Sequence, residues 1–176
     1  HINKMKNIIA FSGSNSSNSI NQQVLNHIAK VAGGVEMIQL TDYEIPMYGI
    51  DLEVASGIPT DISTLQDKIM AADAVIISTP EHNGLMPAFF KNILDWLSRT
   101  GVKYLEGKTV IVASVSPGNG GGKNAGDYVQ KIIGYAGANV VGRFVVPRFG
   151  DNFDADKQEL VNQDLIDELN SYLAQL

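Results

Sequence analysis

Five short runs rich in β-branched residues, each followed by a stretch of helical spacing, constrain this chain more than any other feature. They are Asn7-Ile8-Ile9-Ala10-Phe11, Val35-Glu36-Met37-Ile38, Ala74-Val75-Ile76-Ile77, Val110-Ile111-Val112-Ala113 and residues 140–146. Several are continuously apolar, as strands are when a parallel sheet is covered by helices on both faces. Residues 20–31, 62–71, 88–98, 125–136 and 157–173 carry apolar side chains at helical spacing. The β-α unit thus repeats five times. Right-handed crossovers between neighbouring parallel strands then predict an α/β fold, a three-layer doubly wound sheet that binds ligands at the carboxyl ends of its strands.

The 176 residues, 44% hydrophobic and 18% charged, suit one well-buried domain. His1-Ile2-Asn3-Lys4, ahead of Met5, read as the remnant of a purification tag, so the domain is expected to span residues 5–176. Residues 41–61, interrupted by Pro46, Gly49, Gly57 and Pro59, read as a loop. Its Tyr43, Ile45, Met47 and Tyr48 either cover an active-site edge, meet a partner subunit or pack onto their own domain.

Composition narrows the chemistry. With no cysteine, any redox activity has to come from a cofactor, and a reducing compartment is the natural setting. No run reaches the ~18 apolar residues of a spanning helix, and no basic-then-apolar leader is present, so a cytoplasmic protein without a membrane partner is expected. A net charge of −6 with scattered basic residues gives no surface for a nucleic acid backbone. No histidine and carboxylate cluster at ligand spacing suggests a metal. His27 and His1 read as surface and tag residues.

Three loops at the strand ends carry the functional signal. The first is Gly13-Ser14-Asn15-Ser16-Ser17-Asn18-Ser19-Ile20-Asn21, running into a helix. Serine and asparagine there cap a helix in any case. Nine positions, all polar or glycine save Ile20, exceed what a cap needs and point to a phosphate at the helix N-terminus. There is no Gly-Lys-Ser/Thr for a nucleoside triphosphate and no dinucleotide-type glycine spacing. The first and third strand ends, Phe11-Ser12 and Ser78-Thr79, also lack the acidic cluster of a phosphorelay receiver.

The second loop, Thr79-Pro80-Glu81-His82-Asn83-Gly84-Leu85-Met86-Pro87, is stiffened by its prolines and has Asn-Gly at a tight turn, so it can hold backbone amides toward a planar ligand. An ordinary turn with proline at the helix start explains it equally well. The third, Ser114-Val115-Ser116-Pro117-Gly118-Asn119-Gly120-Gly121-Gly122, either lets backbone approach a flat ring or is merely mobile.

Together, Gly13-Ser14 with Ser19 and Asn21, Thr79-Pro80-Glu81-His82-Asn83-Gly84, Lys91-Asn92-Ile93-Leu94-Asp95-Trp96 and Ser116-Pro117-Gly118 resemble the NADPH-dependent FMN reductase family over nearly the whole chain from Met5. The resemblance implies a flavodoxin-like fold, strand order 2-1-3-4-5, holding FMN non-covalently. It places Ser14, Ser16, Ser19, Ile20 and Asn21 at the phosphate. Pro80, Glu81, His82, Asn83 and Gly84 would line the ring, with Ser116, Pro117, Gly118 and Gly121 nearby. It further implies NADPH or NADH as electron donor, a ping-pong cycle, a homodimer or homotetramer, and acceptors such as quinones, azo compounds, metal oxyanions or free flavin.

Two positions depart from the family. Ser16 stands where members often have arginine, and His82, a candidate proton donor, where many have tyrosine. The Lys91, Asn92, Asp95 and Trp96 group reads as structural. Two other functions fit the same cofactor: a flavodoxin-type electron carrier, and a flavin-binding sensor with little turnover.

Overall fold

A computed structural model describes residues 5–176, so the tag reading of residues 1–4 lies outside the described residues. The elements run β1 (Ile8–Ser12), α1 (Ile20–Ala32), β2 (Val35–Ile38), a 3-10 turn (Leu40–Asp42), α2 (Ile50–Ser56), α3 (Thr60–Ala71), β3 (Ala74–Thr79), α4 (Ala88–Ser98) and β4 (Thr109–Val115). They continue with α5 (Lys123–Tyr135), β5 (Asn139–Val146), α6 (Phe149–Asn152), β6 (Phe153–Asp154), β7 (Glu159–Leu160) and α7 (Gln163–Leu173). Strands β1 to β5 form a parallel sheet of order β2-β1-β3-β4-β5, the predicted topology.

Alternation along the central strands explains the three layers. Ile9, Phe11, Val75, Ile77, Val110 and Val112 face one core, filled from α3, α4 and α5. Ala10, Ile76, Ile111 and Ala113 face the other, filled from α1 and α7. Because both faces are covered, β3 is buried at every position, which is why it reads as a continuous apolar run.

Residues 41–61 are not the unbroken loop expected. The glycines and Pro59 punctuate helices rather than forbid them: Gly49 and Gly57 bound α2, and Pro59 immediately precedes α3. The segment packs on its own domain. Trp96 Nε1 donates to the Pro46 carbonyl at 2.8 Å, and Asn92 Nδ2 donates to the same oxygen at 2.9 Å. The Tyr48 N–H donates to Asn92 Oδ1 at 2.7 Å, and the Tyr48 ring meets Trp96 edge-on. Tyr43 and Ile45 lie against the core while Met47 is exposed. Asn92 and Trp96 are structural anchors, as expected.

The last helix is shorter than its periodicity suggests. Asp154 Oδ1 accepts from the N–H groups of Asp156 and Lys157, turning the chain into the β6–β7 hairpin, and Asn162 caps α7. The hairpin buries Phe153 and Leu160. It also covers His27, which is half-buried against the Phe153 ring rather than a free surface residue. Burial pushes the His27 imidazole below its ordinary value.

Gly13, directly after β1, touches the core: a Cβ there would lie 2.4 Å from Cδ1 of Phe90, which has no exposed surface. Gly13→Ala is therefore expected to cost about 1–3 kcal/mol through overpacking. Urea unfolding should show a lower midpoint at unchanged slope.

Candidate flavin site

The first loop leaves the sheet between β1 and β3, where the Gly13 N–H donates to the Ser78 carbonyl at 2.8 Å. From there, serines brace the backbone two residues on. Ser12 Oγ accepts from Ser14 N–H, Ser14 Oγ from Ser16 N–H, and Ser16 Oγ from Asn18 N–H, at 3.1–3.2 Å. Ser19 then caps α1 by accepting from the Gln22 N–H at 3.1 Å. In each of these contacts the hydroxyl oxygen accepts, so its proton remains available to an anion. Among the described residues, the N–H groups of Asn15, Ser17, Ser19, Ile20 and Asn21 find no protein acceptor. Ile20 and Asn21 are the first two residues of α1, where the helix dipole favours negative charge.

Asn21 does not turn its side chain outward with the serines. It is buried, and its Oδ1 accepts from the Ser78 hydroxyl at 2.9 Å and the Val115 N–H at 3.1 Å, while Nδ2 donates to the Val115 carbonyl at 3.1 Å. The amide ties α1 to the ends of β3 and β4. Only its backbone N–H is left for a ligand. A cleft of about 490 Å³ opens on the outer flank of the loop, between Ser14–Ser19, the side of α1 and the β2 end at Gln39 and Thr41.

The second loop folds into a two-residue hairpin. His82 and Leu85 exchange backbone hydrogen bonds at 2.8 and 3.1 Å around Asn83 and Gly84, both at positive φ (54° and 79°). That is the turn geometry Asn-Gly favours. The His82 side chain is exposed at the hairpin's entry. Glu81 is turned toward the third loop, its carboxylate accepting from the Ala125 N–H of α5 at 3.1 Å.

The third loop is held from behind. Ser116 N–H donates to Val146, and the Gly118 carbonyl accepts from the Arg148 N–H and the Ser116 hydroxyl. Arg143 is committed: it donates to the Val112 and Lys123 carbonyls and to Asp127 Oδ1. Together with Lys123, it holds the Asp127 carboxyl below the usual carboxylate range. Arg148, just past β5, stands at the same sheet edge as the other loops, with its guanidinium 3.7 Å from Asp151.

All three loops therefore leave the carboxyl edge of the sheet, from the adjacent strands β1, β3 and β4. The first offers unpaired amides and hydroxyl protons without a charged side chain, a donor set that fits a phosphate monoester. The other two present hairpin and glycine-rich backbone.

Comparison with known proteins agrees with this geometry. A profile of the family described as NADPH-dependent FMN reductase matches residues 6–151. The chain is 30% identical over 170 residues to the quinone reductase of Escherichia coli strain K12, covering 94% of this chain and 90% of that protein. It is 34% identical over 160 residues to the uncharacterized protein MG342 homolog of Mycoplasma pneumoniae, covering 84% of this chain and 93% of that one. Among solved structures, FerB, a flavoenzyme NAD(P)H:(acceptor) oxidoreductase from Paracoccus denitrificans, superposes with a TM-score of 0.80 at 25% identity, covering 97% of this chain and 94% of that one. A flavodoxin from Pseudomonas aeruginosa, at 16% identity and a TM-score of 0.59, shares the fold. With its strand order and a family match across most of its length, this chain belongs to the NADPH-dependent FMN reductase family of FMN- and NAD(P)H-dependent oxidoreductases.

Proposed function

We propose that the α1 cradle holds the FMN phosphate and that the protein reduces quinones, and by the same route other small oxidised acceptors, with electrons from NADPH or NADH. The row of unpaired N–H groups at Ser19, Ile20 and Asn21, beside the hydroxyls of Ser14, Ser16 and Ser19, carries this reading. The quinone reductase relative supports the choice of acceptor.

Bound FMN would supply the hydride-accepting ring and its onward delivery of electrons. The chain's own residues bind and orient. The cradle anchors the phosphate, while the backbone of Pro80 through Gly84, with Ser116, Pro117, Gly118 and Gly121, flanks the ring and the Glu81 carboxylate stays on the Ala125 N–H. The His82 backbone is fully used by Leu85 and its side chain is exposed, leaving the imidazole free to give a proton to an acceptor that takes up electrons. No nucleophile is required.

The reading extends to assembly and place. Met47, Ile50 and Val54 are exposed apolar side chains around α2, which favours a homodimer or homotetramer over a monomer. The absence of cysteine favours the cytoplasm, and among the described residues no helix is long and apolar enough to cross a membrane.

Anaerobic NADPH should bleach the FMN-loaded protein, and added benzoquinone should restore the oxidised spectrum and sustain turnover with parallel-line kinetics. A spectrum unmoved by NADPH and NADH would refute the enzymatic reading. Ser16 is exposed, where a guanidinium would meet the phosphate directly. A hydrogen bond to a charged group is worth about 1.5–3 kcal/mol, so Ser16→Arg should tighten FMN binding about tenfold or more in a fluorescence titration.

A further inference from the structure

Helix α5 cannot cap its own N-terminus. Gly122 occupies the N-cap with φ 72° and no side chain, and no acidic residue stands in the first turn. A Cβ at Gly122 would lie 3.1 Å from Ser114 Cβ, and one at Gly121, with φ 61°, would lie 2.5 Å from Val145 Cγ1. Close packing and positive φ thus confine both positions to glycine, excluding the Ser, Thr, Asp or Asn that accept from first-turn amides. The acceptor arrives from 44 positions earlier: Ala125 N–H donates to Oε2 of half-buried Glu81.

We infer that Glu81 is a positioning residue of the flavin site, fastening the 82–85 hairpin to the glycine loop through the N-terminus of α5 and cancelling that helix's positive end. The first effect sets the spacing of two loops that flank the ring. The second removes a competing anion site at the same sheet edge, leaving α1 to receive the phosphate, and keeps a negative charge beside the loops. This rests on the FMN reading above. The two effects separate by substitution: Glu81→Gln keeps an acceptor oxygen but loses the charge, whereas Glu81→Ala loses both.

Three measurements test it: hydrogen exchange at the Ala125 amide in FMN-free protein, FMN affinity, and the midpoint potential of bound FMN. In Glu81→Ala, Ala125 should exchange about five- to tenfold faster, the scale of a lost helix cap. FMN should bind about tenfold more weakly, the scale of one charge-assisted hydrogen bond. In Glu81→Gln, exchange and affinity should stay within about twofold of the unaltered protein, with the potential moved to more positive values because a charge opposing reduction is gone. Unchanged Ala125 exchange in the alanine variant overturns the tie, and an unchanged potential in the glutamine variant overturns the charge role. If the alanine variant does not fold, the glutamine variant still decides, since a loss of Ala125 protection there contradicts the cap geometry. Failure of the unaltered protein to bind FMN would refute the FMN reading and the charge role with it, while exchange in the FMN-free protein still decides the tie.

Discussion

Ser19→Asp is expected to weaken FMN binding by on the order of a hundredfold or more while leaving the FMN-free protein at least as stable as before. Ser19 accepts from the Gln22 N–H as the N-cap of α1, and aspartate is an equally good cap that adds favourable charge at the helix start. The same carboxylate would face the phosphate. Two unit charges about 5 Å apart at an effective dielectric near 20 repel by about 3 kcal/mol, more than a hundredfold in affinity. Equilibrium dialysis against FMN, paired with thermal unfolding of the FMN-free protein, measures both halves. Loss of affinity accompanied by a lower unfolding temperature would mean that the loop had been disrupted instead of electrostatically closed.

Asn21→Ala should destabilise the protein even without FMN, by about 3–5 kcal/mol. The substitution strands the Val115 N–H and the Val115 carbonyl in a buried site, while the Ser78 hydroxyl loses its shorter contact and keeps only the Asn21 main-chain carbonyl at 3.3 Å. Each unsatisfied group costs about 1–3 kcal/mol, with some relief from water entering the space left behind. For a domain of this size the loss corresponds to a drop of about 10 °C in the unfolding midpoint. If the side chain served the phosphate instead, FMN-free stability would change by under about 1 kcal/mol and only FMN affinity would fall.

These two neighbouring positions show what the sequence could disclose about the site. Ser19 was readable because capping is local: a serine before a helical pattern has its partner three residues away. Asn21 was readable as a polar residue at the helix start but not as an internal brace, since its partners lie 57 and 94 positions away. The Glu81 contact with Ala125 was hidden for the same reason. Both belong to the tertiary fold, and no periodicity signals them.

The fold was more legible than the site. Runs rich in β-branched residues, several of them continuously apolar, marked all five strands, and the bounds of β2 and α4 coincide with the expected ones, because sheet burial and amphipathic packing leave strong patterns. Breaker residues misled in residues 41–61, where glycine and proline sit at helix boundaries and Pro46 serves as an acceptor for Trp96 and Asn92. Helical spacing misled at residues 157–162, where Asp154 turns the chain into a short hairpin before α7 begins.

Central to all of this is an uncharged set of amides and hydroxyl protons at the start of α1 that grips a phosphate. Titrating the FMN-free protein with FMN and with riboflavin, which share the ring and differ by the phosphate, tests it most directly. Several charge-assisted hydrogen bonds predict that FMN binds at least about a hundredfold more tightly than riboflavin, with the amide resonances of Ser19, Ile20 and Asn21 moving only for FMN. Equal affinity for the two flavins, with those three amides unmoved, would contradict it.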